Sequence, residues 1–107
     1  IDWKLVAAIA GVESTFGKRI PTGSYNGWGW AVFTGRSYGA VFTNWEDGIS
    51  IVSRGLKEGY LDRGATTIEQ IGRMYAASPR WAANVRYFME KIEDFTPVKI
   101  ELLDLAV

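Results

Sequence analysis

The first clear period in the chain is helical. Leu5, Ile9, Val12 and Phe16 fall on one stripe, flanked by Trp3 and Val6, which predicts a helix over Asp2 to Phe16. Asp2 suits its N-cap. Gly17 suits the position after its end, because glycine accepts the left-handed conformation there. From Lys18 to Trp45 the period is lost. The segment "KRIPTGSYNGWGWAVFTGRSYGAVFTNW" holds five glycines and seven aromatic rings, and so reads as an irregular insertion. Within it, Trp30 to Thr34 and Tyr38 to Thr43 are expected to pair as a short hairpin around Gly35-Arg36-Ser37.

Helical order returns with Trp45, Ile49, Val52, Leu56 and Tyr60. Asn44 is the expected N-cap, and Glu46 and Asp47 suit a first turn at the positive end of the helix dipole. Gly64 breaks the chain, and Thr66-Thr67-Ile68-Glu69 reads as a capping box opening a short helix through Ile68, Ile71 and Tyr75. Ser78-Pro79 is the expected start of a further helix with Trp81, Val85, Phe88 and Ile92 on one face. Thr96-Pro97 is expected to end it, leaving a tail from about residue 97 that serves as a docking extension or a linker. The whole predicts one domain over residues 1–107, mainly α, with an aromatic insertion after its first helix.

Composition narrows the chemistry. The 107 residues carry 12 basic and 12 acidic side chains, a formal net charge of zero, which argues against a nucleic-acid partner or a polybasic membrane-surface protein. No apolar run is long enough for a transmembrane segment. There is no cysteine and no histidine, so thiol catalysis, a Ser-His-Asp triad and the usual zinc sites are excluded by inventory. No metal and no cofactor is expected. Catalysis, if there is any, rests on carboxylates, hydroxyls, Lys or Arg. The chain begins at Ile1 with no signal peptide, as expected of a processed form or a module of a larger chain.

One carboxylate stands out. In "AAIAGVESTFG", Glu13 follows Val12 directly, beside the apolar stripe rather than opposite it. A glutamate at a helix edge ordinarily keeps its head in water. In apolar surroundings its ionised form is disfavoured, its pKa rises, and the protonated carboxyl can act as a general acid. The insertion that follows supplies Tyr25, Trp28, Trp30, Phe33 and Tyr38. Such rings either form a small second core or stack on the apolar faces of pyranose rings along one wall of a cleft. Between Glu13 and Glu46 there is no Asp or Glu. Glycosidases commonly use two carboxylates, so a lone acid fits either attack by the substrate's own N-acetyl group or closure of a 1,6-anhydro ring. Lys18, Arg19 and Arg36 make the insertion positive, as would suit lactyl or peptide-stem carboxylates. A solvated basic rim accounts for them equally well. Asp62 and Glu69 are better explained as a turn residue and a capping residue. Arg54, Lys57, Arg63 and Arg73 are spread over helical segments and form no phosphate site.

These residues carry a resemblance. "AAIAGVESTFG" resembles the first catalytic motif of the lysozyme-like superfamily, as found in soluble lytic transglycosylases and bacterial glucosaminidases. "SYNGWGW" is similar to the Asn-x-x-Gly segment of the glucosaminidases, "FTNWEDGI" to the start of their next helix, and "YAASPRWAANV" to their late Tyr-Ala-x-x-Pro motif. The four occur in order over about residues 3 to 93. The resemblance implies a lysozyme-like fold of α+β type, with a helical lobe and a reduced β-hairpin or loop lobe around a glycan cleft. It implies Glu13 as general acid, Ser14 orienting the acid or its substrate, Asn26 on a sugar acetamide or hydroxyl, and Tyr75 near the reacting centre; Tyr25, Trp28, Trp30 and Phe33 are the rings of the insertion expected toward the substrate. The implied activity is cleavage of peptidoglycan between N-acetylglucosamine and N-acetylmuramic acid, outside the cell at the wall, by a monomer or a module. A catalytically silent glycan-binding or structural module is the alternative, and a helical protein-interaction domain a third reading. The sequence departs from the transglycosylases where "GWGWAVF" replaces a Gly-Leu-Met-Gln type segment, and from the glucosaminidases in lacking an acidic residue in the insertion.

Overall fold

The computed structural model describes residues 1–31, 39–76 and 78–106, with side chains described through Phe95. Four α-helices carry it: α1 (Trp3–Ser14), α2 (Trp45–Gly59), α3 (Ile68–Tyr75) and α4 (Trp81–Ala106), with a 3-10 turn at Leu61–Arg63. No strand occurs among the described residues. The molecule is therefore mainly helical. The centre of the expected hairpin, including Phe33 and Tyr38, lies outside the described residues. Its two arms are joined where Ala40 N donates to Trp30 O at 2.9 Å. None of the described helices is long and apolar enough to cross a membrane.

α1 packs chiefly on α4, with α2 crossing α1 and α3 resting on α4. The core forms where their stripes meet: Leu5, Ala8 and Ile9 of α1, Val52 and Leu56 of α2, Ile71 of α3, and Trp81 and Val85 of α4. Trp28 and Phe42 enter the same core from the insertion. Ile9, Val52, Leu56 and Val85 have no accessible surface, and each such side chain contributes roughly 1.5–3 kcal/mol of burial free energy. The expected stripe of α2 is only half buried. Trp45 and Ile49, one turn apart, remain largely exposed beside α1.

Caps set the boundaries. Asp2 accepts from Lys4 N and Asn44 accepts from Asp47 N, as their positions predict. α1 stops two residues short of the expected end. Thr15 and Phe16 take positive φ (53° and 57°) before Gly17, and the Phe16 ring swings back over Gly11 to meet Phe88 edge-to-face at 5.2 Å. The capping box opening α3 is one residue later than the sequence pattern suggests. Thr67 accepts from Gln70 N, and the Gln70 side chain accepts from the amides of Thr67 and Thr66. Glu69 is thereby released to pair with Arg86 on α4. Pro97 does not end α4, which continues to Ala106. A proline removes one backbone bond and crowds the preceding turn, and the good helix formers of "KIELLDLA" carry the helix past it.

Candidate functional site

The cleft is built from the insertion outward, and Asn26 organises it. Its Nδ2 donates to the carbonyls of Trp30 (2.9 Å) and Ala40 (3.0 Å), while its Oδ1 accepts from the amides of Trp30 (3.0 Å) and Trp28 (3.3 Å). Asn26 is buried and uses its hydrogen-bonding capacity within the loop. The substrate contact that the resemblance implies for Asn26 is therefore not what its side chain does here. Ser14 is similar. Its buried hydroxyl is shared between the carbonyls of Gly27 (2.6 Å) and Ala10 (3.0 Å) and accepts from Gly17 N at 2.8 Å. It clasps the end of α1 to the loop and so orients Glu13 through the backbone.

Trp28 is a core residue. It is buried, donates from Nε1 to Val6 O at 3.0 Å, and packs edge-on against Phe42 and Trp45. Tyr25 lies half-buried against Trp45. Of the insertion's candidate rings, Trp30 lines the cleft. Its ring rests on Gly55 of α2, where a Cβ would come within 2.2 Å of it. Phe33 lies outside the described residues.

The cleft itself has a volume of about 590 Å³ and runs between the Gly29–Ala31 turn and the C-terminal end of α2. Tyr75, at the end of α3, forms part of its wall, with Trp30 and Tyr60 close by (ring centroids 6.0 and 6.1 Å away) and Trp81 stacked on it at 5.2 Å. The Tyr75 hydroxyl donates to Trp28 O. Burial first, then the charges of Glu13 and Tyr60, push the Tyr75 phenol far above its ordinary range, so it stays protonated.

Glu13 stands at the margin of this cleft. A Cβ on Gly29 would lie 3.5 Å from Glu13 Oε1, so glycine leaves room for the carboxyl there, and its φ of 60° makes the turn that brings it close. Glu13 as a whole is exposed at the cleft edge, yet partial desolvation of its carboxyl raises its pKa above the ordinary 4.5. The structure thus brings Glu13, Tyr75 and Trp30 together. It places Ser14, Asn26 and Trp28 behind them as framework.

Sequence reasoning missed the far wall. Gly55, Glu58 and Gly59 of α2 line the cleft together, followed by Tyr60 and Arg63. Their spacing of three and four puts them on one helical face, and at Gly55 the glycine admits the Trp30 ring. Asp62 and Glu69 are engaged elsewhere, with Lys57 (3.0 Å) and Arg86 (2.6 Å). The hydrogen bonds from Arg86 hold the Glu69 carboxyl below its ordinary range. A second, almost wholly apolar groove of about 430 Å³ lies between α1 and α2, lined by Trp3, Phe16, Trp28, Trp45 and Ile49.

In comparisons with protein-family models, curated proteins and solved structures, nothing matches this chain.

Proposed function

We propose that this protein is a peptidoglycan-cleaving glycosidase of lysozyme-like type, with Glu13 as its general acid. The observation that carries the reading is the Glu13 carboxyl, raised in pKa by desolvation, set against Gly29 at the edge of a cleft walled by Trp30, Tyr60 and Tyr75. Rings supply the stacking faces that pyranose rings need, and a protonated carboxyl supplies the proton that the leaving oxygen needs.

The chemistry that fits one such acid runs in two steps. Glu13 gives its proton to the glycosidic oxygen as the C1–O bond breaks, and the carbonyl oxygen of the substrate's acetamide bonds to C1 on the opposite face. Water then opens the resulting ring and returns a proton to the Glu13 carboxylate. If the sugar's own 6-hydroxyl attacks instead, the product is a 1,6-anhydro end. Tyr75 contributes through its lone pairs. Its proton is committed to Trp28 O, so its oxygen is free to accept the acetamide N–H and hold that group for attack. Action at the cell wall follows from the substrate proposed.

Mass analysis of soluble products from purified peptidoglycan, comparing the parent with Glu13→Gln, tests this reading. Reducing or 1,6-anhydro ends released by the parent and lost in the variant support it, and the type of end distinguishes hydrolysis from transglycosylation. Glycan that is bound and never cut would make this a silent binding module. Equal cleavage by both proteins would remove Glu13 from the chemistry.

A further inference from the structure

The cleft wall formed by the end of α2 and the turn after it carries two charged side chains of opposite sign, Glu58 and Arg63. The charges next to them in sequence, Lys57 and Asp62, pair with each other at 3.0 and 3.3 Å, and the other described ion pairs are Lys4–Glu93 and Arg86–Glu69. Neither Glu58 nor Arg63 is in an ion pair among the described residues. The Lys57–Asp62 contact occupies the carboxylate nearest in sequence to the Arg63 guanidinium, and Arg63 lines the cleft.

Resting on the glycosidase reading above, we infer that Arg63 is the residue by which this cleft reads a carboxylate on the glycan, and that Glu58 opposes it. A guanidinium offers a planar fork of N–H donors that matches a carboxylate in two parallel bonds. A lactyl ether or a peptide stem on every second sugar presents such a carboxylate, and a neutral N-acetylglucosamine polymer presents none. The basic residues of the insertion do not serve this purpose in the described structure. Lys18 and Arg19 are exposed and outside the cleft lining, and Arg36 lies outside the described residues. Glu58 is the carboxyl group in the cleft lining, and the Glu13 carboxyl lies beside Gly29 at its edge. Glu58 therefore repels the anion that Arg63 attracts, and Glu13 does so only when ionised.

The two substitutions have opposite signs, which makes the inference sharp. The measurement is the ratio of affinities for soluble peptidoglycan strands and for neutral N-acetylglucosamine oligomers of the same length. It is made by calorimetry on proteins that also carry Glu13→Gln, so that nothing is cut. Arg63→Gln should lower that ratio about tenfold, as expected for one partly solvated charge-assisted contact, and Arg63→Lys should restore part of it. Glu58→Gln should raise the ratio severalfold, and the Arg63 effect should shrink as salt rises. A ratio unmoved by Arg63→Gln, with the circular dichroism of the folded protein retained, overturns the assignment of Arg63. A ratio that falls in Glu58→Gln overturns the opposition. If the Glu13→Gln protein binds neither glycan, the glycosidase reading itself fails, an outcome separate from both.

Discussion

Thr15 holds a left-handed backbone, φ 53°, that a β-branched residue adopts only when its surroundings impose it. Here the Thr15 and Phe16 amides close on the carbonyls of Gly11 (3.2 Å) and Ala10 (3.1 Å), while Ser14 grips the loop. The strain lies two residues after Glu13 and is part of what ends α1 so close to it. Thr15 is exposed, so replacing it removes little burial. Thr15→Asn, which tolerates this conformation, should stabilise the protein by about 0.5–1 kcal/mol, read from urea denaturation midpoints at constant m. Glu13 is the second residue held at a cost. Its folded pKa lies above its unfolded value, so the folded state binds its proton more tightly and stability falls as pH rises through that interval. Glu13→Gln should therefore melt at a higher temperature than the parent at neutral pH. The gap should open from about the ordinary 4.5 upward and level off above the raised folded value. On the proposed reading of Glu13 as general acid, cleavage should fail on the same limb, since such an acid works only while protonated. A Tm gap that does not grow with pH would remove the desolvation argument for Glu13.

At the scale of elements, the glycines of α2 separate packing from propensity. A Cβ at Gly55 would stand 2.2 Å from the Trp30 ring, whereas one at Gly59 would meet nothing within 4 Å. Both substitutions to Ala gain up to about 1 kcal/mol of helix propensity. Gly55→Ala should nonetheless destabilise by roughly 1–3 kcal/mol, because Trp30 must leave its seat, while Gly59→Ala should be neutral or stabilising. Thermal unfolding of the pair, alongside Trp fluorescence, decides it. Asn26 plays the corresponding part in the insertion. Asn26→Ala leaves the Ala40 carbonyl and the Trp30 amide without their partner, and the Trp30 carbonyl with the Ala40 amide alone, a loss of roughly 2–4 kcal/mol visible as early protease cutting within the loop. The helices were readable because their stripes, caps and breakers agree, as at Asp2, Asn44 and the Trp81–Val85 face. The ends of α1 and α4 were not. Where α1 stops depends on a hydroxyl reaching thirteen residues along the chain from Ser14 to Gly27, and no local pattern encodes that.

At the scale of the whole molecule, the candidate site is a convergence of segments distant in sequence: Glu13 and Trp30 were readable from their own segments, Tyr75 through the resemblance, and the α2 wall from neither. Glu13 was legible because a carboxylate beside an apolar stripe is anomalous in its own helix. Asn26 and Trp28 looked like ligand residues because polar and aromatic groups in a glycine-rich loop suit binding. Their burial shows that the same groups were needed to hold the loop. Glu58 and Arg63 carried no local anomaly at all. The cleft is also tied to the far side of the fold through one stack of rings. Trp81 of α4 lies nearly parallel to Tyr75, at 27° and 5.2 Å, and Gly72 admits it where a Cβ would stand 2.9 Å away. Trp81 is buried, and its Nε1–H has no acceptor among the described residues. That orphaned donor offsets part of what the ring contributes, so Trp81→Phe, which keeps an aromatic plate and removes the donor, should cost less than about 1.5 kcal/mol. Trp81→Leu removes the plate as well. It should cost about 2–4 kcal/mol and, on the proposed glycosidase reading and at temperatures where the variant remains folded, lower kcat on soluble glycan severalfold with Glu13 untouched, because Tyr75 would then be free to turn from the acetamide that reading assigns to it. The Phe variant should retain most of that rate. If the Leu variant instead keeps full kcat while losing stability, the stack braces the core alone, and the position of Tyr75 is fixed by its hydrogen bond to Trp28 and not by α4.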